Sequence, residues 1–139
     1  MIAGDESGDQ VGHRVWVVPG GHIPFPGHGP EPEFTSFDQL CLLNCTNRPA
    51  ETETTIFYDD QEPVGPYRFV VPARRIRHVR FNDLIDPEAI QLGRPFGALL
   101  RSTEPVVVQF LRQDTRLPGV VALTGTMAFP VPTGDERRP

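Results

Sequence analysis

Sixteen prolines and thirteen glycines fall among the 139 residues of this chain and leave only short windows for regular structure. A proline removes a backbone donor and clashes with the preceding helical turn, and a glycine costs a helix interior about 1 kcal/mol, so long helices are nearly excluded. Between the breaks lie runs rich in Val, Ile, Thr, Phe and Tyr at 14–18, 39–45, 51–58, 67–71, 75–82, 97–102, 106–113 and 120–129. Such runs read as strands. Eight short strands in one chain point to an all-β sandwich or barrel. Two windows need arbitration. Phe34–Arg48 lacks Gly and Pro and places Phe34, Phe37, Leu40, Cys41 and Asn44 at helical spacing, which is read as a turn before the strand at Cys41. Within Ala73–Asp86, Val79 and Phe81 alternate with His78, Arg80 and Asn82, a period of two that predicts a strand.

The connections carry their own signals. Asp59–Pro66 reads as an extended hairpin connection between two strands. Pro19–Pro32 packs five prolines and four glycines between apolar residues and predicts a long ordered loop over one end of the core. The domain is expected over 13–131, with mobile tails at 1–12 and 132–139.

Length and charge narrow the class. A chain of 139 residues fits one domain and can bury roughly two thirds of its unfolded surface. No apolar run approaches the ~18 residues that a membrane helix needs. Asp5, Glu6 and Asp9 stand where a secretory leader would need positive charge and then an apolar core, so a cytoplasmic location is expected. Cys41 and Cys45 would lie ~13 Å apart on a strand. A disulfide needs less than ~7 Å, so both are expected as free thiols.

All 13 basic residues are arginine, a bias that touches surface positions throughout. Even so, Val71–Leu84 is the densest chemical signal, with Arg74, Arg75, Arg77, His78 and Arg80 and no acid before Asp83. On a strand, Arg74, His78, Arg80 and Asn82 share one face, while Arg75 and Arg77 share the other with Val79 and Phe81. Guanidinium groups present forked donors that match carboxylates, phosphates and sugar hydroxyls, so an anionic or polyhydroxylated ligand is one reading and a solvated strand is the other. The net charge of −5 and the single aromatic in the cluster argue against a nucleic-acid surface without excluding a local patch.

Other chemistries find less support. His22, His28, Glu31 and Glu33 match no metal-ligand spacing, and no metal or cofactor is expected. Ser7, Ser36 and Ser102 lie in no nucleophile elbow, and Gly20-Gly21 and Gly27-His28-Gly29 lead into prolines rather than into a phosphate-binding helix. Gln109 interrupts the apolar run Val106–Leu111 and either satisfies a neighbouring strand or points into a pocket, with Arg112 and Asp114 on the opposite face. Trp16 reads as core or as a sugar-stacking platform.

Several motifs occur together and in order: Gly29-Pro-Glu-Pro-Glu-Phe34, Cys41-Leu-Leu-Asn44, Glu62-Pro-Val-Gly-Pro-Tyr67, Val71-Pro-Ala-Arg-Arg75, His78-Val-Arg-Phe-Asn-Asp-Leu84, and Pro105-Val-Val-Val-Gln109 followed by Arg112 and Asp114. Over about 13–130 the chain resembles the sensory rhodopsin transducer family, named for the soluble cytoplasmic partner of a cyanobacterial sensory rhodopsin. The resemblance implies a single-domain antiparallel β-sandwich, jelly-roll-like, of about eight strands, assembled as a homotetramer and without enzymatic activity. It also implies a small polar ligand such as a sugar. A membrane sensory rhodopsin is the second partner that it suggests, and DNA the third. The polar positions that match family motifs are Glu31, Asn44, Tyr58, Arg74, Arg75, His78, Arg80, Asn82, Gln109, Arg112 and Asp114. His22, His28 and the tail from Pro130 depart from the pattern. The expected ligand site combines Arg74, His78, Arg80 and Asn82 with Gln109, Arg112 and Asp114, beneath loop 19–32, with Asn44, Tyr58, Glu31 and Trp16 contributing. An isomerase or epimerase using His78 and Asp83 is the enzymatic alternative.

Overall fold

A computed structural model describes residues 9–134, so most of each expected tail lies outside the described residues. The chain is all-β and antiparallel: β1 (His13–His22), β2 (Phe37–Asn44), β3 (Ala50–Tyr58), β4 (Val64–Val71), β5 (Arg75–Arg80), β6 (Pro95–Asp114), β7 (Ala122–Met127) and β8 (Phe129–Pro130). The one helical element among the described residues is a 3-10 turn at Phe81–Asp83.

The long strand β6 organises the rest. Its first half pairs with β3 and β1, giving one arm in the order β4-β3-β6-β1-β8. Its second half pairs with β2 and β7, and β2 pairs in turn with β5. The runs at 97–102 and 106–113, expected as two strands, are therefore one. Continuity survives Pro105 because the ladder is already interrupted there: His13 pairs with Val106 and Val15 with Arg101, so residues 102–105 bulge opposite Arg14. A proline without an N–H is tolerated in such a bulge. Pro105 and Val106 are both buried, which breaks the alternation and turns the strand from one arm into the other. The window 120–129 instead divides at buried Ala128, whose N–H donates to Val108 O at 3.2 Å.

One hydrophobic cluster joins the inward faces of both arms. Leu40 and Leu42 of β2, Val108 and Phe110 of β6 and Val79 of β5 meet Trp16, Ile56, Tyr67, Phe69 and Leu100 from the other arm. Phe81 seals it, its ring 5.0 Å from that of Phe96 in an edge-on contact. Burying each such side chain stabilises the fold by roughly 1.5–3 kcal/mol. The Tyr67 hydroxyl donates to Glu88 O at 2.6 Å, and burial, with the nearby Tyr58 and Glu88 charges, pushes its pKa up to about 12.

Strand parity places the charged residues. In β5, Val79 faces the core with Arg77 and Arg75 on its side, while Ile76, His78 and Arg80 face outward. The strand ends at Arg80, two residues before the expected limit, so Asn82 belongs to the 3-10 turn and not to the His78–Arg80 face. Arg74 also leaves that face: it sits in the preceding turn with φ 56°. Both cysteines are free, Cys41 buried and Cys45 half-buried. No helix among the described residues is long and apolar enough to cross a membrane.

Candidate functional site

The Pro/Gly loop is pinned at several points. His28 N donates to Thr115 O at 2.8 Å, Gly93 N donates to Ile23 O at 2.8 Å, and the Gln113 amide donates to Thr35 O at 2.8 Å. Ser36 and Thr115 lock together: Thr115 N donates to Ser36 Oγ at 2.9 Å, the two hydroxyls lie 2.7 Å apart, and Thr115 Oγ1 donates to Phe34 O. The loop approaches so closely that a Cβ at Gly27 would lie 2.7 Å from Thr115 Oγ1. At Gly29, φ is +120° and a Cβ would strike the Phe34 ring. These two positions require glycine.

Beneath the loop lies a cavity of about 270 Å³, with Ile23, Phe34 and Leu92 among its apolar walls and Glu31, Ser36 and Asn82 among its polar ones. Asn82 Nδ2 donates to Ser36 O at 2.9 Å, which fixes the amide. Its Oδ1 is buried and has no hydrogen-bond partner among the described residues. A buried acceptor left unpaired costs roughly 1–3 kcal/mol, a cost that Asn82 Oδ1 shares with Thr54 Oγ1.

The polar network behind the loop was only half anticipated. Arg112 clamps Asp38 through both carboxylate oxygens, Nε to Oδ1 at 2.8 Å and Nη2 to Oδ2 at 3.1 Å, and Nη2 also donates to Gly20 O at 2.8 Å. Asp38 is wholly buried and accepts His22 N at 2.6 Å. Arg112 thus ties the entry of the loop to β2 and β6, and most of its hydrogen-bonding capacity is spent inside the fold. Asp38 escaped the sequence reading, although it has the parity of Leu40 and Leu42 on β2, which demands burial and hence a cation.

The remaining expected residues do not converge. Trp16 is core, its indole donating to Val106 O at 2.9 Å and to His13 O at 3.0 Å, and offers no open platform. Asn44, fully buried, knots the end of β2 to the turn before β5. Arg74 donates to Asn47 Oδ1 at 3.1 Å, at the opposite end of β5 from Asn82. His78 is exposed on β5; Arg80 lies over the Phe37 ring and contacts Asp83 at 3.4 Å. Gln109 is exposed, with outward parity between Cys41 and Met127, and is not the buried amide the apolar run suggested. The Tyr58 hydroxyl accepts Gln91 N at 3.2 Å, under Arg94, which ties Asp59 at 3.0 Å. Asp114 is spent on Arg116, whose hydrogen-bonding guanidinium holds its carboxyl below the usual range. Of the expected set, Glu31 and Asn82 alone line the cavity under the loop. Among the described residues, no three His, Cys, Asp or Glu side chains gather as metal ligands.

Comparison with known proteins covers nearly all of this framework. The family model described as Anabaena sensory rhodopsin transducer matches residues 11–130. The solved structure of the Anabaena sensory rhodopsin transducer is 48% identical and superposes with a TM-score of 0.67, the match covering 73% of this chain and 97% of that one. A second structure, of Thermotoga maritima 1070, is 26% identical with a TM-score of 0.75 over 86% of this chain and 96% of that one. Among curated proteins there is no match. The matched span contains all eight strands, the pinned loop and Asn82, and the chain belongs to the sensory rhodopsin transducer family.

Proposed function

We propose that this chain is a non-enzymatic cytoplasmic sensor module that binds a small polar metabolite, a sugar or a close relative, in the cavity under the Pro/Gly loop. The observation that carries this reading is the pinned loop over a cavity of about 270 Å³ whose lining brings Glu31, Ser36 and Asn82 together. Ligand hydroxyls would meet the polar groups of that lining, while the apolar walls would meet the carbon face of a ring. The arginines of β5, once expected at the centre of the site, lie outside it in this reading. A panel of sugars, polyols, sugar acids and nucleotides tests it by thermal unfolding. One sugar class at a hundred times its dissociation constant should stabilise the protein by ~2.7 kcal/mol. Asn82→Leu should weaken that ligand roughly tenfold, as expected for a lost hydrogen bond in a desolvated site, and Arg74→Ala should leave it unchanged. A panel in which no sugar, polyol or sugar acid shifts unfolding would contradict the proposal.

A protein-partner reading has its own support. We infer that the two arms form the layers of a jelly-roll-like β-sandwich, and that the outward face of β6-β7 is covered in a homotetramer. Outward positions of β7 that would ordinarily be polar carry Leu123 (62% exposed) and Met127 (48%). Replacing Leu123 and Met127 together by aspartate should lower the mass measured by light scattering from that of a tetramer, and an unchanged mass would place the interface elsewhere. A membrane sensory rhodopsin is the receptor that the family suggests for such an assembly.

A further inference from the structure

We propose that the free edge of β5 is a docking site for an extended acidic peptide segment in which acids alternate with apolar residues. β5 pairs with β2 from Arg75–Asn44 to Arg80–Gln39 and with no other strand. Its other edge therefore turns alternate backbone N–H and C=O groups to solvent, a template for one more strand. Side chains select what that strand can be. Arg75 and Arg77 stand two residues apart on the Val79 face, and among the described residues neither pairs with a carboxylate. The guanidinium of Arg75 reaches only Arg74 O at 3.0 Å. That of Arg77 reaches Val70 O at 2.7 Å and lies 5.5 Å from the centre of the Phe69 ring, which holds its charge in place at the rim of the core. Arg75 and Arg77 are thus two cations without a carboxylate partner on one edge strand of a chain with net charge −5.

This arrangement discriminates among occupants. A second copy pairing antiparallel through β5 about Arg77 would set arginine beside arginine, which destabilises a ladder. A nucleic acid could answer the two cations but would leave the backbone edge unpaired and would meet a chain of like net charge. An extended peptide answers both. Acids at i and i+2 would lie beside Arg75 and Arg77, and the residue between them would turn to the other face, next to exposed Ile76 and its cross-strand partner Leu43.

The probe is a capped synthetic peptide alternating glutamate with valine, fluorescently labelled and titrated with the protein at moderate salt. Binding is expected, with roughly tenfold loss in Arg75→Gln and again in Arg77→Gln, as for charge pairs at a docked interface. Arg75 contacts only a neighbouring carbonyl, so Arg75→Gln should keep the wild-type unfolding midpoint and report on docking alone. N-methylation of the peptide amides that face β5 should abolish binding, and a lysine–valine peptide and a short DNA duplex should not bind. The proposal is overturned if the glutamate peptide does not bind, if the arginine variants bind it equally, if N-methylation has no effect, or if the duplex binds instead.

Discussion

Asp38→Ala is expected to destabilise the protein by ~3–5 kcal/mol, the cost of breaking a buried ion pair by removing one partner. Three donors converge on this carboxylate: Arg112 Nε, Arg112 Nη2 and His22 N, at 2.8, 3.1 and 2.6 Å. Each would lose its acceptor, and the guanidinium would remain half-buried beside Phe110. Arg112→Ala should cost a similar amount, because the carboxylate it leaves is wholly buried. Replacing both by leucine should recover much of the loss, since an apolar pair of similar size removes the desolvation penalty together with the attraction. Against a total stability of ~5–15 kcal/mol, either single change consumes a large share. Urea unfolding of the two single variants and the double variant measures all three; single changes below ~1 kcal/mol would show that the pair is solvated in solution.

Asn44→Ala is the second large effect, expected at ~2–4 kcal/mol from several lost bonds and the carbonyls they leave unmet. The side chain uses every position it has. Nδ2 donates to Arg48 O at 2.7 Å and to Val71 O at 3.1 Å, with Pro72 O at 3.3 Å, while Oδ1 accepts Thr46 N at 3.0 Å and Thr46 Oγ1 at 2.8 Å. It thereby fastens the β2–β3 turn to the β4–β5 connection, where Arg74 N donates to Thr46 O at 3.0 Å and Arg74 is held at positive φ. Asn44→Asp should be at least as damaging as alanine, because it would set an anion against three carbonyl oxygens. Hydrogen exchange should quicken at Thr46 and Arg74 in both variants. Unaltered protection there would mean that the turn holds itself.

Much of this architecture is legible in the residues. Breaker spacing finds the strands, because proline and glycine act locally, and parity correctly separates Arg77 and Val79 from His78 and Arg80. The loop rich in proline and glycine is ordered as its composition suggests. What escapes is tertiary. Pro105 reads as a strand end, yet β6 passes through it because a bulge opposite Arg14 makes its missing donor harmless. Asn82 reads as the next residue on the Arg80 face, since the alternation of Val79 and Phe81 fits a strand as well as it fits a 3-10 turn that buries Phe81. The site suffers most from this. A cluster in sequence, Arg74 to Asn82, is spread along the full length of a strand, and its two ends face different neighbours. Residues distant in sequence, Glu31 and Asn82, line one cavity only because the loop folds back on Thr115, just past the end of β6. Parity alone could have identified Asp38, a carboxylate in step with Leu40 and Leu42, and would have redirected Arg112 from ligand to structure.

The site beneath the loop is the central claim, and amide chemical shifts recorded during titration with neutral aldohexoses and their sugar acids test it most directly. A saturable response confined to Ile23–Ser36, Asn82 and Leu92 is the predicted result. Saturable shifts centred on Arg74–Arg80, or none with any sugar or sugar acid, would contradict it.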